Sequence, residues 1–188
     1  MVELALVVPL LLSLCAGTFE FGMAWRASLS AQTAVRAATR IGSQLGPDPM
    51  ADYYSLTALR ASLLSAGLLN GVVRVVIFRS DTTDGKVPST CAGGTAGSDK
   101  CIVVSGSQLQ NQMTQANFAV SADGKTGTGC YTPAVVQTWC PSARINMQIT
   151  AEYLGVWVQL QQGYFTREFG SGVTIQRTSV MRLEPKFS

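Results

Sequence analysis

The feature that most constrains this chain is an uncharged apolar stretch close to its N-terminus. Residues 4–19 (LALVVPLLLSLCAGTF) carry no charged side chain, and the apolar character continues past Glu20 to Trp25. A helix over the 22 residues from Leu4 to Trp25 is about 33 Å long, enough to cross a hydrocarbon core of about 30 Å. The sequence therefore predicts a transmembrane helix over about residues 4–25.

Two other interpretations of this stretch are a cleaved signal peptide and a buried core helix. A signal peptide carries a basic segment before its apolar core, whereas Glu3 occupies that position here and no Lys or Arg precedes it. Only 13% of all residues are charged, against about 25% in a typical soluble domain. A retained membrane helix is the favoured interpretation.

The same helix is predicted to continue beyond the membrane. An apolar stripe recurs there at steps of three and four residues, formed by Ala27, Ala31, Ala34, Ala38, Ile41 and Leu45. Small alanines allow a second helix or a sheet to approach closely, and Gly46-Pro47 ends the run. We therefore expect residues 1–46 to form one helix of about 65 Å and residues 47–188 to form an extracytoplasmic α+β domain.

Five cysteines divide into one plus four. Cys15 lies in the apolar helix, and Cys91, Cys101, Cys130 and Cys140 lie in Gly/Ser/Thr-rich sequence. Four cysteines allow three pairings; the short-range pairs, 91 with 101 and 130 with 140, would restrain two similar loops by about 3 kcal/mol each. A zinc site is the alternative, but the two nine-residue spacers do not match the usual ligand spacing. Disulfides are favoured, and they imply an oxidising compartment.

The rest of the chain predicts an α+β fold with an antiparallel sheet of four or more strands. Asp48-Pro49 is expected to start a second helix, which Asn70-Gly71 closes. In residues 144–151, the alternating Ile145, Met147 and Ile149 predict one strand face. Strands are predicted at residues 72–79, around 102–104, and at 144–151, 154–160 and 173–183, with a hairpin loop at 163–172.

Nothing in the sequence indicates an enzyme. The chain has no histidine, which removes the commonest general base and metal ligand. It also lacks a Gly-x-Ser-x-Gly elbow and a phosphate-binding loop. We therefore expect no catalytic residue, no cofactor and no metal. The 14 basic residues are scattered, so no nucleic-acid partner is expected either.

The N-terminal sequence resembles TadE-type pseudopilins of the tight-adherence (Tad) pilus, a type IV pilus system. In that family an acidic residue opens an apolar helix that contains an early proline and a later Glu-Phe-Gly. The matching segments are 2–12 and 19–22, then 39–42 and 180–185, while 130–132 and 153–156 resemble actinobacterial members. The resemblance implies a pilin-like fold and a minor pilin, since major Tad pilins are far shorter.

The resemblance also implies how the chain is synthesised, processed and assembled. The chain would be made as a prepilin with a short basic leader upstream of residue 1, trimmed by a prepilin peptidase, and held in the cytoplasmic membrane with its C-terminal domain outside. It would then join a surface filament that supports adhesion or pilus assembly. Its partners would be other pilin subunits, the pilus assembly platform and the peptidase.

Three residues of the apolar helix are candidates for subunit assembly. By resemblance, Glu3 takes the role of the pilin N-terminal glutamate, whose carboxylate pairs with the α-amine of a neighbouring subunit; a solvated charge at the membrane edge is the alternative. Glu20 is expected to pair with Arg26 of a neighbour or to extend toward the headgroups. Pro9 either kinks the helix or lies harmlessly near its start.

A second function remains open, namely a single-pass envelope protein with a ligand-binding or adhesive domain. Trp139, Trp157, Tyr131 and Tyr164 could line a sugar-stacking surface. Such aromatic side chains more often pack in the core.

Overall fold

The computed structural model of the chain describes residues 2–80, 85–95, 97–165 and 170–185, with side chains from Val7 onward. Within these residues the α-helices are α1 Val2–Leu45, α2 Ala51–Ser65, α3 Ser89–Gly93 and α4 Gly106–Asn111. The strands in the same described residues are β1 Val72–Ser80, β2 Cys101–Ser105, β3 Phe118–Val120, β4 Gly127–Tyr131, β5 Val136–Gln137, β6 Tyr153–Gly163 and β7 Gly172–Arg182. The fold is α+β, as predicted.

The main sheet has five antiparallel strands in the order β5-β2-β1-β6-β7, and β3 pairs with β4 in a separate ribbon. The last two strands form the predicted hairpin, which pairs Tyr153 with Arg182 at its open end and Gly163 with Gly172 at its tip. Of the predicted loop at 163–172, residues 166–169 lie outside the described residues. We call the described residues on either side of them, 163–165 and 170–173, the hairpin tip.

The second half of α1 is part of the folded domain. Ala27, Ala31, Ala34 and Ala38 are buried, as the stripe predicts, and they belong to one core with residues of α2 and the sheet. At Gly42 the approach of α1 to β6 is close, since an added Cβ would lie 3.2 Å from Cδ2 of Leu154. The core therefore includes residues on both sides of Gly46.

The two faces of the sheet are packed differently. The alternation in β6 directs Leu154, Val156, Val158 and Leu160 toward α1 and α2. Trp157 lies in a smaller cluster on the opposite face with Phe78, Cys91 and Cys101. The period of two along β6 is the sequence signal that predicts this division.

Strand β7 runs alongside α1 in the same direction. The side-chain amide of Gln32 donates to the carbonyl of Thr178 over 3.2 Å, and the amide of Glu184 donates to the carbonyl of Ser43 over 2.9 Å. The hairpin tip therefore lies toward the N-terminal end of α1. The open end of the hairpin lies at the C-terminal end of α1.

The prediction of a strand at residues 144–151 is wrong. These residues form a loop with turns, in which the amide of Glu152 donates to the carbonyl of Ile145. Ile145, Met147 and Ile149 are all exposed, and Ile149 is 95% exposed. An alternating pattern suits a strand, but a strand also needs a neighbouring edge to pair with, and the pattern does not supply that edge.

The boundaries of α2 also differ from the prediction. The helix begins at Ala51 rather than Pro49, and the carboxylate of Asp48 accepts from the amide of Met50 over 2.9 Å in the turn before it. It ends at Ser65, where Gly67 adopts φ +73° and the amide of Leu68 donates to the carbonyl of Leu63. This is the usual left-handed end of a helix, and it comes before Asn70.

Candidate membrane and assembly surface

The N-terminal part of α1 leaves the folded domain and presents apolar side chains. From Val7 to Leu45, α1 is long and apolar enough to cross a membrane. The exposed apolar side chains on it are Val7, Val8, Leu10, Leu11, Leu12, Leu14, Phe19, Phe21, Trp25 and Leu29. Cys15 is a free thiol on the same surface. This surface suits a lipid environment or the helices of other subunits.

Pro9 lies inside α1, and the helix is continuous through it. The ring removes one backbone hydrogen-bond donor. One turn later, the hydroxyl of Ser13 donates to the carbonyl of Pro9 over 2.7 Å. The backbone of Glu3 is in the first turn of α1, while its side chain lies outside the described residues.

Glu20 is enclosed by its own chain. It is 3% exposed and lines a groove of about 390 Å³ between α1 and the hairpin tip, together with Tyr164 and Val173. The other lining residues are Gly17, Phe21 and Ala24. The expected pairing of Glu20 with Arg26 of a neighbour, or its extension toward the headgroups, stays a prediction. Only the tertiary structure places Glu20 beside Val173, which follows it by more than 150 residues.

Arg26, the expected partner of Glu20 in a neighbouring subunit, follows Glu20 along α1 toward the C-terminal end of the helix. It is exposed and lines a shallow groove with the turn that follows α2, formed by Ala66, Gly67 and Leu68. The structure of one chain leaves the contact between subunits as a prediction.

Two disulfides restrain the long segment between β1 and β6. Cys91 in α3 is bonded to Cys101 at the start of β2, and Cys130 in β4 is bonded to Cys140. These are the two short-range pairs that the sequence favoured. The first lies against the face of the sheet away from α1, where it contributes to the smaller apolar cluster.

A buried ion pair fixes the second disulfide-bonded loop to α2. Nη2 of Arg144 donates to Oδ1 of Asp52 over 2.6 Å, and neither side chain is exposed. The guanidinium also lies 4.7 Å from the ring centroid of Trp139. Burial raises the pKa of Asp52, and the positive charge of Arg144 opposes that rise. The sequence analysis missed this pair, because nothing local links residues 92 positions apart.

Three of the four aromatic residues considered for a sugar-stacking surface are in the interior. Trp139 and Tyr131 are fully buried, and Trp157 is almost so. Tyr131 packs on Phe118 with ring centroids 4.9 Å apart. Only Tyr164, at the hairpin tip, is partly exposed. These aromatic residues therefore pack the core and do not form one binding surface.

In the part of the chain that the structure describes, no three Cys, Asp or Glu side chains lie close enough together to hold a metal ion.

Of the comparisons with known proteins, one finds a family match, and the match lies over the N-terminal helix α1. Residues 1–40 match the family model of TadE-like proteins. No curated protein and no solved structure matches the chain. The resemblance to TadE-type pilins is thus confirmed for the residues that form the apolar part of α1 and the first turns packed in the domain.

Proposed function

With residues 1–40 matching the TadE-like family as the premise, we propose that the chain is a structural pilin-like subunit of a Tad-type pilus. It is held in the cytoplasmic membrane by α1, with the domain outside the cytoplasm, before it joins a filament. Its role is to support surface adhesion or pilus assembly rather than to catalyse a reaction. Its partners are other pilin subunits and the assembly platform, and a prepilin peptidase trims its precursor.

One observation carries this proposal: α1 is a single continuous helix with two environments. Its N-terminal part presents exposed Leu and Val side chains beyond the domain, and its C-terminal part is buried in the domain core. A helix built this way transmits the position of the membrane or filament segment to the domain, because the two are joined without a flexible linker. That rigid connection is what a filament subunit needs.

The two disulfides support the proposed location of the domain. Disulfides form and persist in oxidising compartments and are rare in the cytosol. Cys91–Cys101 and Cys130–Cys140 therefore favour a domain on the outer side of the cytoplasmic membrane. Arg26, Arg36 and Arg40 follow the apolar stretch and by themselves favour the opposite orientation. Basic residues in a leader upstream of residue 1 would account for the outward domain.

We propose Glu3 as the residue that sets the register of assembly. Helices in lipid gain little from apolar contact with one another, because lipid tails are equally apolar. A carboxylate in that environment is costly unless it is paired. Pairing of Glu3 with the α-amine of a neighbouring subunit therefore favours one axial position over others.

Glu20 and Pro9 have more limited proposed roles. Glu20 lines one groove with Tyr164 and Val173, so its proposed role is at the junction of α1 with the hairpin tip, where it pairs with Arg26 of a neighbour or extends toward the headgroups. Pro9 removes one backbone hydrogen bond in the exposed segment and so provides a point at which α1 can bend during packing.

The test is to detect the chain in filaments sheared from the bacterium that encodes it. We expect the unmutated chain in the sheared fraction. Leu12→Asp should reduce its amount there severely, because Leu12 is 64% exposed in the apolar segment and a carboxylate at the centre of a membrane helix costs about 3 kcal/mol. The control is Ile149→Asp, which places the same charge on an exposed apolar residue at the other end of the domain.

Two outcomes would contradict the proposal. One is the absence of the unmutated chain from sheared filaments of a strain that makes pili. The other is normal abundance of Leu12→Asp in those filaments, which would mean that the apolar segment has no role in assembly.

A further inference from the structure

The hairpin tip reaches a level of α1 that belongs to the apolar stretch. Tyr164 and Val173 line a groove with Gly17, Glu20 and Ala24 of α1. A span of about 20 residues is needed to cross the hydrocarbon core, and one that starts at Leu4 ends near residue 23. The tip is therefore level with the outer part of the proposed membrane segment.

Exposed aromatic side chains surround this level. Phe165 follows Tyr164 at the hairpin tip and is 82% exposed. Phe21 and Trp25 are exposed on α1, with ring centroids 6.3 Å apart. Trp and Tyr concentrate at the two interfaces of a bilayer, where the ring is in apolar surroundings and its polar atom reaches water, and an exposed Phe side chain beside them adds apolar surface. Tyr164 of the hairpin tip lines one groove with Phe21 of α1, so the aromatic residues of the tip lie near those of α1.

We propose that the hairpin tip is a second membrane contact, in which Tyr164 and Phe165 enter the lipid interface beside α1. This inference rests on the proposed membrane anchoring of α1. The occupant of the surface is a bilayer, because Tyr164 lines one groove with Gly17 and Phe21 of the apolar segment of α1 and the exposed Phe165 follows it directly. Contact at two points fixes the rotation of the domain about α1, which one helix alone leaves free.

The same contact explains why Glu20 is enclosed. A carboxylate at this depth is costly when it faces lipid. Glu20 is 3% exposed, and the half-buried Tyr164 and Val173 line the same groove. The hairpin tip therefore lets α1 carry an acidic residue at the level of the interface.

The test measures fluorescence quenching by lipids whose acyl chains are brominated. The full chain is reconstituted into phosphatidylcholine–phosphatidylglycerol vesicles as Phe165→Trp in a Trp25→Phe background, so that the tip carries the added fluorophore. Trp139 and Trp157 are buried in the domain and give a constant signal. The matched control is Ile149→Trp, since Ile149 is also exposed and apolar but lies on the loop near the C-terminal end of α1.

We expect brominated lipid to remove about half or more of the emission added by Phe165→Trp, because quenching requires contact with the acyl region near the interface. The emission added by Ile149→Trp should not change. Equal quenching of the two variants, or none in either, would overturn the inference. Blue-shifted emission from Phe165→Trp without quenching would also overturn it, since a neighbouring subunit rather than lipid would then cover the tip.

Flotation of the same vesicles separates this inference from the proposed function. If the chain does not float with the vesicles, the anchoring by α1 is wrong, and the inference that rests on it is wrong as well. If the chain floats and Phe165→Trp is not quenched, only the second contact is wrong.

Discussion

Arg144 and Asp52 form an ion pair that is wholly buried, with Nη2 and Oδ1 2.6 Å apart. The pair joins the first turn of α2 to the residues that follow the second disulfide. Both charges are removed from water, so the cost of losing their hydration opposes the attraction between them. The stability lost on mutation therefore depends on whether one partner or both are replaced.

We predict that Arg144→Met lowers the free energy of unfolding by about 3–5 kcal/mol, because it leaves the Asp52 carboxylate buried without its partner. The double variant Arg144→Met/Asp52→Leu should recover most of this loss. The measurement is chemical unfolding of the full chain in detergent micelles, followed by tryptophan fluorescence. The control is Arg79→Met, which breaks the more exposed pair with Glu152 and should cost about 1 kcal/mol or less. Equal losses for Arg144→Met and Arg79→Met would contradict the prediction.

Gly155 is predicted to be intolerant of any side chain. An added Cβ would lie 2.3 Å from Cζ of Phe78, whose ring is fully buried. Gly155→Ala should therefore destabilise the domain by about 1–3 kcal/mol through overpacking. Gly163→Ala in the same strand is the control, because its nearest contact would be 3.8 Å away. Thermal unfolding of the two variants distinguishes them, and a similar melting temperature would argue against the close approach.

The disulfides are predicted to be Cys91–Cys101 and Cys130–Cys140, with Cys15 as a free thiol. Peptide mapping without reduction checks the pairing, and four free thiols after residue 90 would remove the support for an extracytoplasmic domain. Replacing Cys91 and Cys101 together by Ser should lower the free energy of unfolding by about 3 kcal/mol. Without the disulfide, the unfolded chain regains the conformational entropy of the loop between these two residues. Cys15→Ser, which breaks no bond, is the matched control.

Glu3→Ala is predicted to reduce the abundance of the chain in sheared filaments and to leave unfolding of the domain unchanged. Breaking a buried charge pair costs about 3–5 kcal/mol, because the remaining charge is unpaired. Glu3 precedes Ala27, the first alanine of the buried stripe, by about 36 Å of helix, so the domain core does not sense the change.

A variant within the core gives the opposite pattern and serves as its control. Ala31 is fully buried, so Ala31→Leu should lower the melting temperature by overpacking the core that α1 shares with α2 and the sheet. Normal incorporation of Glu3→Ala would favour the solvated-charge interpretation. A lower melting temperature for Glu3→Ala would contradict the separation of assembly from folding.

Tyr131 is predicted to make the domain sensitive to alkaline pH. Burial raises the pKa of Tyr131 to about 12, above its ordinary value of about 10. The folded state favours the neutral phenol over the phenolate. The stability that Tyr131 contributes is therefore complete below pH 10 and is lost as the pH rises toward 12, by up to about 3 kcal/mol. Tyr131→Phe should flatten the fall in stability over that range, and the exposed Tyr54→Phe should not. Parallel curves for all three proteins would show that other groups cause the fall.

Much of the fold is predictable because its signals are local. The alanine stripe from Ala27 to Ala38 has the period of a helix with one buried face, and those alanines are buried. The alternation from Leu154 to Leu160 has the period of a strand, and it assigns Trp157 to the opposite face. The apolar stretch from Leu4 indicates a membrane segment by length and charge alone.

The predictions that were wrong or missing concern partners distant in the chain. Ile145, Met147 and Ile149 alternate as a strand does, yet they form an exposed loop, because pairing depends on a free edge that another part of the chain must supply. From the sequence, Asp52 is an ordinary residue of a predicted helix and Arg144 an ordinary residue of a predicted strand. Only the folded structure shows that the two side chains are buried together.

The sequence by itself determined that one long helix has an apolar half and an alanine-lined half, because helical periodicity and the absence of charge are properties of neighbouring residues. Only the tertiary structure decided that Glu20 lies in one groove with Tyr164 and Val173 and that the hairpin tip is level with the apolar segment. Those relationships depend on how β7 runs beside α1. That arrangement is set by the packing of side chains more than a hundred residues apart, which no local pattern contains.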